Sequence, residues 1–104
     1  MNEGAIKHDG GKSPIELVDP DFIFGVSEVL KFGAKKYEPN NWRKGLAMSR
    51  AFGALMRHLW DFWRGRDYDK ETGLPTLDHA TCELMFLRSM WSTRRDMDDR
   101  WKPE

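Results

Sequence analysis

The chain has 104 residues, and its 17 basic and 17 acidic side chains leave a formal net charge of zero. That length allows one domain with one small core, and the even charge argues against a general nucleic-acid coat, which needs a basic excess. Cys82 is the only cysteine, so an intrachain disulfide and a cysteine zinc cage are excluded.

There is no run of 18 apolar residues and no signal-peptide pattern. The expectation is a soluble, cytoplasmic protein with neither membrane nor nucleic acid as partner. Five Trp and six Phe are many for so short a chain. Each buried ring removes on the order of 150–250 Å² from water. Some of these rings are expected in a subunit interface or against a base.

Residues 1–18 show little periodicity and read as an irregular segment, docked through Ile15 and Leu17. Asp19-Pro20 is a helix start: an acceptor at the cap, then proline at the first helical position. The first helix is predicted from about Pro20 to Tyr37. Its apolar face is Phe22, Val26, Val29, Leu30 and Gly33. Glu38-Pro39-Asn40-Asn41 stops it. Residues 42–48 form a linker containing Gly45. Ser49 is expected to cap a second helix that ends before Gly65, with the stripe Phe52, Leu55, Met56, Leu59 and Trp63. Ala51 and Ala54 would allow close helix approach. Residues 65–75 read as a polar loop. Thr76 is expected to cap a third helix, about Leu77 to Thr93, which is apolar on most sides and therefore central or at an oligomer interface. Residues 94–104 are a charged tail that continues the helix or frays. No strand or repeat stands out. The predicted architecture is an all-α bundle of three main helices, a single domain over 1–104, completed by a partner subunit.

The polar residues inside these apolar patterns are the candidates for chemistry. His58 and Asp61 are helix neighbours at i and i+3. His79 and Glu83 share a face at i and i+4, and Asp78 sits near the helix start. Histidines and carboxylates on two helices joined by a loop suit a hard divalent cation, Mg²⁺ or Mn²⁺. Glu28 can add a carboxylate from the first helix. Each has a plainer reading: a solvated His–Asp pair, a local His–Glu hydrogen bond, an acidic residue at the positive end of a helix dipole, an exposed helix glutamate. Asp67-x-Asp69-x-Glu71-x-Gly73 alternates carboxylates, but its spacing is not that of an EF-hand. It reads instead as a loop that closes over a metal–phosphate complex.

Two basic clusters suit phosphate. One is Lys7-His8-Asp9-Gly10-Gly11-Lys12, where glycines let backbone amides approach an anion. It lacks the P-loop spacing. The other joins Lys35-Lys36-Tyr37 to Asn41-Trp42-Arg43, where Trp42 can stack on a base and Asn41 can read its edge. A solvated loop is the plain alternative for both. Cys82 reads as a buried small hydrophobe.

The ordered set of Lys7 to Lys12, Phe32-Gly33-Ala34-Lys35-Lys36-Tyr37, Asn41-Trp42, Arg57-His58-Leu59, Asp69 to Leu74 and Leu77-Asp78-His79-Ala80 resembles one family. It is the phage dATP/dGTP diphosphohydrolase family, the MazZ-type branch of the MazG-like all-α nucleoside triphosphate pyrophosphohydrolases. The resemblance covers roughly residues 6–90. It implies hydrolysis of a purine deoxynucleoside triphosphate, dGTP or dATP, to the monophosphate and pyrophosphate, in the host cytoplasm. In phages with 2-aminoadenine DNA this would shape the nucleotide pool. It also implies a homodimer or homotetramer. The wider superfamily holds Mg²⁺ or Mn²⁺ between a Glu-x-x-Glu helix and a Glu-x-x-Asp helix. Here His58-x-x-Asp61 replaces the first pair, and something within Asp78, His79 and Glu83 replaces the second. The implied catalytic set is Asp61, His58 and Asp78, with Asp61 taking the proton of the attacking water. Lys7, Asp9, Lys12, Lys35, Tyr37, Asn41, Trp42 and Arg57 are the implied substrate contacts. Two rivals stand beside this reading: an HD-type deoxynucleotide phosphohydrolase, disfavoured by the reversed Asp78-His79 doublet, and a non-catalytic nucleotide-binding helical module.

Overall fold

A computed structural model describes residues 4–104; positions 1–3 of the expected irregular segment lie outside the described residues. Three helices carry the fold: α1 (Pro20–Lys36), α2 (Met48–Trp63) and α3 (Thr76–Thr93). Short 3₁₀ turns occupy Ile15–Leu17, Asn41–Lys44 and Arg95–Met97. Among the described residues no strand forms, and a single antiparallel bridge joins Tyr68 to Pro75. The all-α, three-helix expectation holds.

The start of α1 follows its sequence signals. Asp19 Oδ1 accepts from the Asp21 amide at 3.1 Å, and Pro20 takes the first helical position. The helix ends at Lys36, where the Tyr37 amide still donates to the Gly33 carbonyl. The start of α2 differs from expectation. Ser49 lies inside the first turn and is itself capped, its amide donating to Asp99 Oδ1 at 2.9 Å and its hydroxyl to Asp99 Oδ2. The cap therefore arrives from the tail, 50 residues away in sequence. Thr76 likewise is the first residue of α3 rather than its cap. It is buried, and its hydroxyl donates to the Arg66 carbonyl at 2.8 Å, anchoring the loop.

The core lies where α2 crosses α3. Met48, Ala51 and Met90 form its centre, with Leu46, Phe86, Leu87 and Met97 against it. Ala51 is fully buried, so the small side chain does allow the close approach expected of it. Truncating a buried methionine such as Met90 costs about 2–5 kcal/mol. The tail is docked rather than frayed. Arg94 Nη1 donates to the Lys44 carbonyl at 2.6 Å, and Met97 packs on the core. Gly45 lets this happen: its φ is +91°, and a Cβ there would lie 3.0 Å from the Arg94 guanidinium.

The predicted α2 stripe is only partly the core stripe. Leu55 is buried, but Phe52, Leu59 and Trp63 are exposed, Trp63 by 78%. Phe22, Ile23 and Phe24 on α1 also face outward. The chain exposes 8637 Å², about 2,600 Å² more than the roughly 6,000 Å² of a folded monomer of this mass. The exposed segment before α1 contributes part of this excess.

Candidate active site

α1 and α3 do not close on each other along their whole length. α1 is held in its first half, where Gly25 faces Asp78; a Cβ on Gly25 would lie 2.6 Å from Asp78 Cγ. Beyond that point the second half of α1, the turn at 38–46 and one face of α3 enclose a cleft of about 1060 Å³. Its α3 wall carries His79, Glu83 and Phe86, successive turns of one helix face. Trp42 stacks on Phe86 with ring centroids 4.9 Å apart and carries the Arg43 guanidinium 4.4 Å from its own centroid. Val29, Phe32 and Met85 add apolar surface. The cations along the cleft are Lys31, Lys36, Arg43 and Arg50, against two carboxyls, Glu38 and Glu83. Glu38 is already paired with Lys44.

At one end of the cleft the loop between α2 and α3 is tightly organised. Asp69 Oδ2 accepts from the amides of Glu71 and Thr72, each at 3.0 Å, and from the Thr72 hydroxyl at 3.3 Å. Gly73, at φ +71°, lets the chain reverse so that its amide reaches the Asp69 carbonyl at 2.8 Å. Thr72 Oγ1 lies 2.7 Å from His79 Nε2, and the His79 ring stacks on His58 at 5.0 Å. The Thr72 hydroxyl has one proton. If it goes to Asp69, the His79 Nε2–H donates to Thr72 and leaves Nδ1 as a lone pair. Lys36 Nζ reaches Glu71 at 3.2 Å and straps this loop to α1.

Electrostatics divide the two regions. Burial pushes His58 below its ordinary value, and the neighbouring His79 adds to this against the pull of Asp69 and Asp61. Burial also acts to raise Asp69, but its hydrogen bonds from Thr72 and Glu71 and the field of His79 win and hold it low. Glu83 has no such help. Burial pushes it up to about 7, only partly offset by Arg57, and among the described residues it accepts no hydrogen bond.

The predicted metal ligands do not converge. His58 and His79 are together, joined by Asp69 and Thr72. Asp61 is turned to Arg64 at 2.9 Å and Arg66 at 3.2 Å. Asp78 is wedged against α1, Glu83 lines the cleft and Glu28 is exposed. Among the described residues no three His, Cys, Asp or Glu side chains form a group that could hold a metal ion. The residues present thus do not fit a preassembled Mg²⁺ or Mn²⁺ cage within one chain.

The sequence of the chain matches, over residues 2–100, the family model described as dATP/dGTP diphosphohydrolase, N-terminal. The chain belongs to this diphosphohydrolase N-terminal family. A dATP/dGTP diphosphohydrolase of Salmonella phage PMBT28 is 41% identical over 95 residues, which are 91% of this chain and 32% of that protein. The chain therefore spans about a third of that relative's length. No solved structure matches it.

Within this family member the predicted substrate contacts separate into two groups. Tyr37, Asn41 and Trp42 line the cleft. Lys7, Asp9 and Lys12 are exposed in the segment before α1, Lys35 is exposed on α1, and none of these four lines the cleft. Arg57 is exposed and acts on Glu83 and His58 through its charge. Sequence reasoning passed over Lys36 in favour of its neighbour, and passed over Arg50, Thr72 and Phe86. Lys36 was findable: it lies three residues after Gly33 on the apolar stripe, the side of α1 that faces α3. Arg50 and Phe86 carry no such signal, because the cleft is made by segments distant in sequence. No helix among the described residues is long and apolar enough to cross a membrane.

Proposed function

We propose that the chain hydrolyses purine deoxynucleoside triphosphates, dGTP and dATP, to the monophosphate and pyrophosphate. The observation that carries this reading is the cleft. Its volume is at the scale of a small-ligand pocket, its wall is aromatic, and its cations exceed its free carboxyls. A purine fits the apolar surface near Trp42 and Phe86. Lys36, Arg43 and Arg50 suit the triphosphate, with arginine forks matched to phosphate oxygens. Arg43 must then leave the face of Trp42 if the base is to stack there.

In the proposed reaction a water oxygen bonds to the α-phosphorus. The bond from that phosphorus to the bridging oxygen breaks, and pyrophosphate leaves with the electron pair. The water's proton passes to a base. His79 lines the cleft with its ring fixed by Thr72 and its stacking partner His58 disposed to stay neutral. That pair suits the task better than Asp61, which is occupied by two arginines. Mg²⁺ or Mn²⁺ belongs to the proposal as a companion of the substrate. Such ions keep several waters, take phosphate oxygens and need only one or two protein carboxylates.

The exposed apolar faces of α1 and α2 support a homodimer or homotetramer. A solution mass of one chain by light scattering would remove this part of the reading. In a phage, the proposed role is to shape the purine deoxynucleotide pool for 2-aminoadenine DNA.

The test is product analysis with each of the four deoxynucleoside triphosphates, with Mn²⁺, Mg²⁺ or EDTA. Monophosphate plus pyrophosphate, largest for a purine, is expected. One observation favours a second reading, a nucleotide-binding module without turnover: the described residues gather no three-ligand metal group. Binding without products would select it.

A further inference from the structure

We propose that Glu83 reads the Watson–Crick edge of the purine in the cleft and sets a preference for guanine over adenine. This rests on the proposed function only in that it takes the cleft to be a purine nucleotide site.

Glu83 lies on the cleft face of α3, one turn before Phe86, whose ring stacks on Trp42. The carboxyl is therefore next to the aromatic surface suited to a base. The cations suited to phosphates come from other elements: Lys36 from α1, Arg43 from the turn after it and Arg50 from α2. Glu83 is half-buried and accepts no hydrogen bond from the described residues. No buried side-chain oxygen among the described residues lacks a partner, so the Glu83 oxygens are open to the cleft, where a ligand can donate to them. Glu28, Asp61 and Asp69 show the alternatives in this chain, being exposed, paired to arginines or wrapped in amides. Glu83 has none of these.

Guanine supplies what is missing. Its N1–H and N2–H₂ are adjacent, parallel donors, and a carboxylate has two oxygens to meet them. Adenine presents an N1 lone pair and one N6 donor to the same place, so one oxygen of the ionised carboxylate would face a lone pair; the comparison is therefore made above the raised carboxyl value of about 7. A site built around hydrogen bonds rejects the ligand that leaves its polar group unpaired. The carboxyl, raised by burial to about 7, would fall back when two N–H groups donate to it.

The test is calorimetric binding of the non-hydrolysable α,β-methylene analogues of dGTP, dITP and dATP, and of inorganic tripolyphosphate, to the full chain. Each is measured with and without Mn²⁺. The native protein is expected to bind the dGTP analogue at least about tenfold tighter than the dATP analogue, with dITP between them because it lacks N2. In Glu83→Gln the amide can both donate and accept, so the dGTP/dATP ratio should fall to near one or invert. Tripolyphosphate affinity should not move, since it has no base. Glu83→Asp, which keeps the charge but shortens the arm, should retain part of the preference and covers the case in which the amide variant fails to fold. An unchanged ratio in Glu83→Gln overturns the proposal. So does an equal loss for both nucleotides and tripolyphosphate that appears only with Mn²⁺, because Glu83 would then serve the phosphate–metal complex. No binding of any nucleotide overturns both this and the proposed function. Guanine-selective binding with no hydrolysis of dGTP leaves the inference standing and removes only the reaction.

Discussion

Asp69 and Glu83 stand on either side of His79, and the fold treats them oppositely. Asp69 belongs to a finished region. Two amides and a hydroxyl converge on one of its oxygens, and that hydroxyl passes the order on to His79. Glu83 belongs to an unfinished region, a cleft wall where a half-buried carboxyl accepts no hydrogen bond from the described residues. The same residue chemistry is structural in one place and available in the other. Which is which follows from where the hydrogen bonds already go.

The largest effect should come from breaking the finished side. Asp69→Ala leaves the Glu71 and Thr72 amides and the Thr72 hydroxyl without their acceptor. The cost should be about 2–4 kcal/mol, since hydrogen bonds to a charged acceptor contribute more than neutral ones and the three are not additive. Chemical denaturation measures it. Thr72→Val sharpens the result by keeping the Glu71 and Thr72 amides on Asp69 while removing the contact to His79 and the acceptor of the Leu74 amide, and should cost about 1 kcal/mol. If Asp69→Ala costs no more than Thr72→Val, the loop is not organised by its carboxylate.

A smaller effect separates the two carboxyls by sign. The carboxyl of Glu83 is raised from 4.5 to about 7 in the folded chain, so between those values the folded state holds a proton that the unfolded chain has released. Its favourable contribution is fully present below pH 4.5 and is lost as pH rises through about 7. The loss should be on the order of 1–2 kcal/mol, discounted for partial exposure. Glu83→Gln should flatten this part of the profile. Asp69, held low, contributes in the opposite sense: its stabilisation is present at neutral pH and is lost on acidification through its depressed value. Melting temperature against pH, in native protein and both single variants, reads both slopes. A Glu83→Gln profile parallel to the native one would show that the carboxyl is better solvated than its burial suggests.

Much of the scaffold was legible, because it depends on local chemistry. Asp19-Pro20 starts α1, Pro39 and the asparagines follow its end, and the sequence signals place three helices within about two residues of their observed bounds. What escaped depends on contacts between distant segments. Asp99 caps α2 from the tail, and no local pattern announces a cap 50 residues away. The α2 stripe looked like core, yet Phe52, Leu59 and Trp63 are exposed, since the periodicity of an apolar face does not say how much of it the rest of the chain covers. At the site, His58 and His79, placed by the sequence on two helices joined by a loop, stack on each other. Asp61 could not be sorted from them by spacing, because its arginine partners lie just past the helix end and claim it first.

The smallest effect tests whether the two regions are mechanically joined. Lys36 lines the cleft while its ammonium pairs with Glu71 in the loop, and both side chains are largely exposed. An exposed pair contributes little to stability and is screened by salt. Its interest lies in competition. A triphosphate in the cleft offers Lys36 a stronger partner than a single carboxylate. Lys36→Ala should therefore weaken binding of a non-hydrolysable dGTP analogue a few-fold. Glu71→Ala should leave that binding unchanged or tighten it, because it removes the competitor. Both differences should fade at high salt. If Glu71→Ala weakens binding as much as Lys36→Ala does, the pair acts as one unit. The ordered loop would then be part of the nucleotide site, and the division between a finished and a waiting region would have to be redrawn to include it.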